Sequence, residues 1–180
     1  MCGIVGYVGG RNAGEVVLHG LRRLEYRGYD SCGIASVHGG RVEVRKDTGM
    51  LDEIEARLRL SGVRGTTAIG HTRWATHGGV TKENAHPHLD CTRRVAVVHN
   101  GIISNHEELR RELEARGHRF LSETDTEVLP HLIEEHLDSL PLEEAVLRAL
   151  ERVEGSYALL AISALEPGKI VAARNESPLV

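Results

Sequence analysis

The second residue of the chain is a cysteine, followed by Gly3-Ile4-Val5-Gly6. Initiator methionine is commonly removed ahead of a small residue, and loss of Met1 would leave Cys2 with a thiol and a free α-amine on one residue. The reference pKa of such an amine is about 7.7–8.0 against about 8.5 for the thiol, so the pair is a nucleophile carrying its own general base. Taken alone, Cys2 reads equally well as a small apolar residue at the mouth of a strand. A second group with chemical potential is the run of histidines: five of the eleven lie between His71 and His99. His71, His77, His86 and His88, with Asp90 and Cys91, offer the ligand types of a zinc module. Their spacing matches no established zinc signature, since neither Cys-x-x-Cys nor His-Glu-x-x-His occurs.

The elements that must position these residues are legible in outline. Gly3 to Val8 predicts a strand closed by Gly9-Gly10, which sets Cys2 at its mouth. Val16, Val17, Leu18, Leu21 and Leu24 recur at helical spacing over 13–25, and Arg27-Gly28-Tyr29-Asp30 breaks the pattern. Residues 33–38 and 41–45 predict a hairpin about Gly39-Gly40, and Leu51, Ile54 and Leu58 a helix over 50–60. A strand over 66–72 leads into a loop from Arg73 to Asp90, long enough to suggest function. The strand over 94–99 is expected to stop at Asn100-Gly101, a natural hairpin turn. Helices follow at 105–116 with Gly117 as stop, at 126–138 with Pro130 delaying or kinking the start, and at 142–153 behind Pro141. Strands over 157–163 and 169–173 flank a turn at 166–169. Hairpin-paired strands and helices grouped in a block point to an α+β fold with antiparallel sheet, in one domain over 1–180.

Composition excludes several partners. The 180 residues carry 22 Lys and Arg against 26 Asp and Glu, for a net charge of −4, and no basic stripe for nucleic acid or an anionic membrane surface. No apolar run reaches the length of a membrane span, and the N-terminus lacks the pattern of a secretory signal, so the expected address is cytoplasmic. Three widely spaced cysteines, Cys2, Cys32 and Cys91, make a disulfide framework improbable there, and Cys32 and Cys91 are expected to be structural, Cys32 as buried filler.

Six blocks carry a resemblance. Cys2-Gly3-Ile4-Val5-Gly6 resembles the start of class II, N-terminal-nucleophile glutamine amidotransferases. The further runs 21–31 (LRRLEYRGYDS), 71–78 (HTRWATHG), 84–88 (NAHPH), 98–105 (VHNGIISN) and 122–128 (SETDTEV) look like one branch, the glutaminase domains of the glutamine:fructose-6-phosphate aminotransferases. The purine-pathway phosphoribosyl amidotransferases are the alternative branch. Fold and roles follow from the resemblance alone: a four-layer αββα sandwich of two mainly antiparallel sheets, truncated at the C-terminus of the family domain and lacking the sugar-isomerase half. Cys2 would attack the side-chain amide of L-glutamine through a thioester, with Asn100 (side chain) and Gly101 (backbone N–H) as oxyanion donors. Arg73 would hold the substrate α-carboxylate, Asp125 the α-ammonium, and Arg27 would orient the nucleophile's surroundings. Trp74, Thr76 and His77 would belong to a loop closing over glutamine, while Gly28 and Asp30 shape a turn. No metal or organic cofactor is implied. Fructose 6-phosphate would be met only through the missing isomerase half, and the full-length protein would be a homodimer. The competing readings of another class are the zinc module above and a catalytically silent interaction domain of the same fold.

Overall fold

The structure, a computed structural model, describes residues 2–75 and 78–180. Two four-stranded antiparallel sheets stack face to face. The first holds β1 (Gly3–Val8), β2 (Ser31–His38), β3 (Arg41–Thr48) and β4 (Thr67–Arg73) in the order β1-β4-β2-β3. The second holds β5 (His88–Leu89), β6 (Val95–Ile103), β7 (Gly155–Ser163) and β8 (Val171–Asn175) in sequential order. Helices α1 (Ala13–Leu24) and α2 (Leu51–Leu58) cover the outer face of the first sheet; α3 (His106–Ala115), α4 (Val128–Glu134) and α5 (Leu142–Leu150) cover that of the second. The expected α+β sandwich with αββα layering is the architecture found.

Each layer boundary has its own core. Val17, Leu18 and Leu21 of α1 pack with Ile34 and Ala68 of the first sheet, and Leu129, Leu132 and Val146 pack with Val95, Val97 and Leu159 of the second. Between the sheets lie Ala35, Val37 and Ile69 on one side and Ala96, Val98, Leu160 and Ile162 on the other. Each fully buried aliphatic side chain here contributes about 1.5–3 kcal/mol, which sets the sheets face to face in one register. Alternation explains the assignment: Val95, Val97 and Leu159 point to the helices, while Ala96, Val98 and Leu160 point to the other sheet. The start of α1 is fixed by Asn12, whose Oδ1 accepts the Glu15 N–H at 3.2 Å.

Two expectations need correction. The strand at 95 does not stop at Asn100-Gly101; β6 runs on to Ile103, because β7 supplies antiparallel partners as far as Ile103↔Gly155. Gly101 sits within the strand at φ +134°, and a Cβ there would lie 2.1 Å from the Ser156 carbonyl oxygen, so the glycine serves close approach rather than a hairpin turn. The helix expected over 126–138 begins as a 3-10 turn at Asp125–Glu127 and continues as α4 only to Glu134. Pro130 is tolerated as its third residue, where a backbone N–H has no partner within the helix. β7 ends at Ser163 as expected but begins two residues earlier, at Gly155, β8 is shifted by two residues to Val171–Asn175, and β5 forms a short pairing in the long loop, His88↔Val97.

Candidate active site

The cleft opens where the end of β4 meets the middle of β6. Gly3 pairs with Thr72, so Cys2 emerges beside Arg73 and Trp74 at the end of the neighbouring strand. The backbone N–H of Trp74 donates to Cys2 Sγ at 3.1 Å, and the Trp74 carbonyl faces the same sulfur at 3.5 Å. Cys2, Arg73, Trp74, Asn100, Gly101 and Asp125 line one cleft, together with His71, His86, His99, Thr124 and Thr126. Burial pushes the Cys2 thiol up, against the pull of the Trp74 N–H and of Arg73.

Asn100 is oriented from both sides. Its Nδ2 donates to the Cys2 carbonyl oxygen at 3.1 Å, and its Oδ1 lies 2.9 Å from His71 Nε2. His71 Nε2 also faces the His99 carbonyl at 3.2 Å, so both neighbours are acceptors and this nitrogen must carry the proton. Complete burial pushes His71 down to about 3, and the ring is neutral at any ordinary pH. A neutral Nε2–H imidazole therefore fixes which way the Asn100 amide points. One of the two Nδ2 hydrogens is used on Cys2; the amide has a second to offer to a ligand in the cleft.

Arg73 and Asp125 supply opposite charges on the cleft wall. Arg73 is 4% exposed, and its Nη1 donates to the Gly79 carbonyl at 3.2 Å. Burial pushes its guanidinium down, opposed by the nearby Cys2, Asp30 and Asp125. The Asp125 carboxylate does not cap a helix. Its Oδ2 accepts the Ile103 N–H at 2.9 Å, which ties the 3-10 turn to the end of β6. On either side Thr124 Oγ1 meets His88 Nε2 at 3.1 Å and Thr126 Oγ1 meets His99 Nδ1 at 2.8 Å. Below the turn, Glu127 accepts N–H bonds from Leu121 and Ser122 at 2.8 and 2.6 Å. Segment 121–127 is thereby held on two strands, β5 and β6, and on itself.

Not every expected residue reaches the cleft. The Arg27 side chain points away: it is exposed, with Nε donating to Tyr26 Oη at 2.7 Å and the guanidinium over the same ring. The Trp74 ring is 44% exposed and meets Tyr29 edge-on at 5.3 Å. Thr76 and His77 lie outside the described residues. Asp30 shapes a turn as expected, accepting the Ala75 N–H at 2.9 Å and so pinning the chain just past Trp74, while the Gly28 N–H closes the preceding 3-10 turn on the Glu25 carbonyl. His71, His99, Thr124 and Thr126 are additions; the positions of His71 and His99 inside blocks already singled out were the available signal.

The zinc grouping drawn from His71 to Cys91 is not assembled among the described residues. His71 and His86 stack face to face, centroids 4.1 Å apart at 18°, so their ring nitrogens do not converge. Asp90 is consumed by the Val95 N–H at 2.8 Å, and Cys91 faces away from these rings. Cys32 is buried filler, its thiol pushed up to about 12 by desolvation. Cys91 is exposed.

Comparison with known proteins agrees with this geometry. Residues 71–179 match the model of the glutamine amidotransferase domain. The whole chain is 56% identical over 182 residues to the glutamine–fructose-6-phosphate aminotransferase (isomerizing) of Symbiobacterium thermophilum, covering 29% of that protein. The corresponding figures for the enzyme of the same name from Methanothermobacter thermautotrophicus are 54% over 182 residues and 31%. The chain thus spans less than a third of the length of these relatives. Among solved structures, the glutamine phosphoribosylpyrophosphate amidotransferase from B. subtilis, complexed with ADP and GMP, superposes with a TM-score of 0.81 at 30% identity, covering 96% of this chain and 37% of that one. With more than half of the chain inside the domain model, the chain belongs to the glutamine amidotransferase domain family.

Proposed function

We propose that this chain hydrolyses the side-chain amide of L-glutamine to glutamate and ammonia, with Cys2 as nucleophile. The observation that carries the reading is the convergence of Cys2 Sγ, an oriented Asn100 amide, and the Arg73 and Asp125 charges in one cleft. Arg73 and Asp125 suit the two ends of an amino-acid head group, carboxylate and ammonium, because a planar guanidinium fork matches a carboxylate and a carboxylate matches an ammonium. With the head held there, the side-chain amide extends towards Cys2.

Removal of Met1 frees the Cys2 α-amine to take the thiol proton. The thiolate adds to the amide carbon, and the oxygen that becomes anionic is met by the second Asn100 N–H and by the Gly101 N–H. Such donors each contribute about 3–4 kcal/mol to the transition state, because they are already oriented when charge develops. The α-ammonium returns its proton to the departing nitrogen, the carbon–nitrogen bond breaks and ammonia leaves a γ-glutamyl thioester. Water, deprotonated by the same amine, cleaves the thioester to glutamate and restores the thiol. The exposed Trp74, with Thr76 and His77 beyond it, is assigned to a loop that closes over glutamine. Arg27, bonded to Tyr26, is given no part in these steps.

Residues 1–180 are proposed to be one glutaminase domain, or most of one, of a fructose-6-phosphate aminotransferase. Identities of 54–56% to that branch against 30% to the phosphoribosyl enzyme support the choice. On this reading the ammonia passes to fructose 6-phosphate on an isomerase half, in a dimeric cytoplasmic enzyme. The deciding experiment measures glutamate release from L-glutamine by the wild-type chain and by Cys2→Ala, with mass spectrometry of the active protein. Loss of activity in Cys2→Ala and absence of Met1 from the active species are expected. Undiminished turnover by Cys2→Ala, or by protein that retains Met1, overturns the mechanism.

A further inference from the structure

On the face of the second sheet away from the nucleophile, four ligand-type side chains converge. Cys91 lies in the turn between β5 and β6, His118 in the loop after α3, and His131 and Glu134 one turn apart on α4. One donor atom from each, Cys91 Sγ, Nδ1 of both histidines and a Glu134 oxygen, all lie within 4.8 Å of one another. Cys91 Sγ is 3.7 Å from His118 Nδ1 and 3.6 Å from His131 Nδ1. Glu134 Oε2 is 3.1 Å from His118 Nδ1 and 3.4 Å from His131 Nδ1.

Those separations can be compared with the edges of a metal tetrahedron. Bonds of about 2.3 Å to sulfur and about 2.0–2.1 Å to nitrogen and oxygen, at tetrahedral angles, give edges of about 3.6 Å for S···N and about 3.4 Å for N···O. The four distances fall within about 0.3 Å of these edges. Hydrogen bonding alone accounts for them less well. It would load three donors, Cys91 N–H at 3.1 Å and both imidazoles, on the single oxygen Oε2. It would also leave the one sulfur shared between two ring nitrogens while it accepts the Arg119 N–H.

The surroundings are those that hold metal ligands in place. The Arg119 N–H donates to Cys91 Sγ at 3.3 Å. The far nitrogen of each ring, Nε2, faces a carboxylate: Glu135 Oε1 at 3.8 Å from His118 and Glu127 Oε1 at 3.8 Å from His131. The Glu127 contact is electrostatic and beyond hydrogen-bond reach, so it does not by itself fix the direction of the His131 ring. Its orientation is explained if Nδ1 is bound on the other side.

We propose that Cys91, His118, His131 and Glu134 form a four-coordinate zinc site. One thiolate, two imidazoles and one carboxylate suit Zn²⁺, whereas magnesium and calcium would reject the sulfur. With four protein ligands the site has no position for substrate, and its role is to hold the fold. It joins the β5–β6 turn to α4 and fixes His118, from which the chain runs on to Asp125 in the cleft. On binding, the Cys91 thiol proton is released to solvent and the sulfur bonds to the metal.

The test uses the chain without an affinity tag and in a Cys2→Ala background, so that neither tag nor nucleophile binds metal. After stripping with a chelator, Co²⁺ is titrated as a spectroscopic probe and displaced with Zn²⁺. One equivalent of cobalt is expected, with the intense visible absorption of a four-coordinate ion and a sulfur-to-cobalt charge-transfer band, both lost on adding one equivalent of zinc. Cys91→Ser should lose the charge-transfer band, and Glu134→Gln should weaken binding by more than about tenfold. Added zinc should raise the melting temperature of the parent but not of Cys91→Ala. Absence of saturable binding in the folded parent, or an unchanged charge-transfer band in Cys91→Ser, overturns the proposal. The glutaminase reading is unaffected by either result, since Cys2 is absent from the test protein.

Discussion

Asn100→Ala separates transition-state stabilisation from substrate binding. The amide of Asn100 contacts Cys2 and His71, whereas the glutamine head is proposed to be held by Arg73 and Asp125. Removal of the amide should therefore leave KM nearly unchanged and lower kcat. Loss of one preorganised donor, about 3–4 kcal/mol, corresponds to about 10²–10³ in kcat. His71→Leu makes the complementary change. The Nε2–H that holds the amide at 2.9 Å is gone while Asn100 stays. A free amide samples its flipped orientation, with oxygen towards the nucleophile, so kcat should fall by about tenfold. Because that loss passes through the Asn100 amide, the double variant should turn over no more slowly than Asn100→Ala alone. Glutamate release measured across a range of glutamine concentrations gives kcat and KM separately, and circular dichroism checks that each variant folds. A kcat for Asn100→Ala within tenfold of wild type refutes the donor role. Additive losses in the double variant refute the claim that His71 acts through the amide.

Two further outcomes follow from the cleft's charges and buried rings. Arg73→Lys keeps the charge and loses the planar fork, so KM for glutamine should rise about 10- to 100-fold with a smaller change in kcat, as a charged hydrogen bond of about 1.5–3 kcal/mol is lost; a KM within threefold of wild type speaks against carboxylate binding there. His71, His86 and His88 are all held below the ordinary histidine range by burial, with Lys46 and Arg73 adding repulsion to His88. The unfolded chain therefore takes up protons first: stability is complete above about pH 6.5 and declines as pH falls below it, at pH 5 by about 2 kcal/mol for His71 alone. Urea midpoints at pH 7.5, 6 and 5 should fall in that order, and a midpoint constant down to pH 5 would contradict neutral burial.

Much of the fold could be read from local pattern, and the exceptions share a cause. Gly39-Gly40 announced the β2–β3 hairpin, and both residues adopt positive φ, 57° and 71°. The apolar stripe of α1 is the buried stripe observed. Asn100-Gly101, by contrast, reads locally as a turn and becomes strand only because β7, more than fifty residues later, pairs across it. The helix expected at 126 loses its first turn because Asp125 and Glu127 are committed to backbone N–H groups of Ile103, Leu121 and Ser122. The same holds for the sites. Cys2, Arg73, Asn100, Gly101 and Asp125 stand in compact sequence blocks and were legible as candidates. Cys91, His118, His131 and Glu134 are spread over three segments, and no short spacing encodes their meeting. Of the histidine-rich stretch and its neighbours only Cys91 belongs to the proposed four-residue group, whose two rings come from beyond α3.

The cleft owes its rigidity to a polar stitch at the edge of an apolar stack. Between the sheets, Ile69 and Val98 belong to the apolar layer, and the next residues towards the cleft are His71 on β4 and His99 and Asn100 on β6. Apolar contact is non-directional and could not fix an amide's orientation. Hydrogen bonds can, and His71 Nε2 reaches from the first sheet to Asn100 Oδ1 and the His99 carbonyl of the second, while Asn100 Nδ2 returns to Cys2 on the first. Cys2 and the Asn100 amide thus stand on different sheets and are tied together by these bonds. They require a neutral imidazole, since a protonated ring buried there would bring an unpaired charge into the sheet stack. The burial that lowers the His71 pKa is therefore also the condition for the donor geometry, and acid should disturb the cleft through this contact before it unfolds the two outer helix layers.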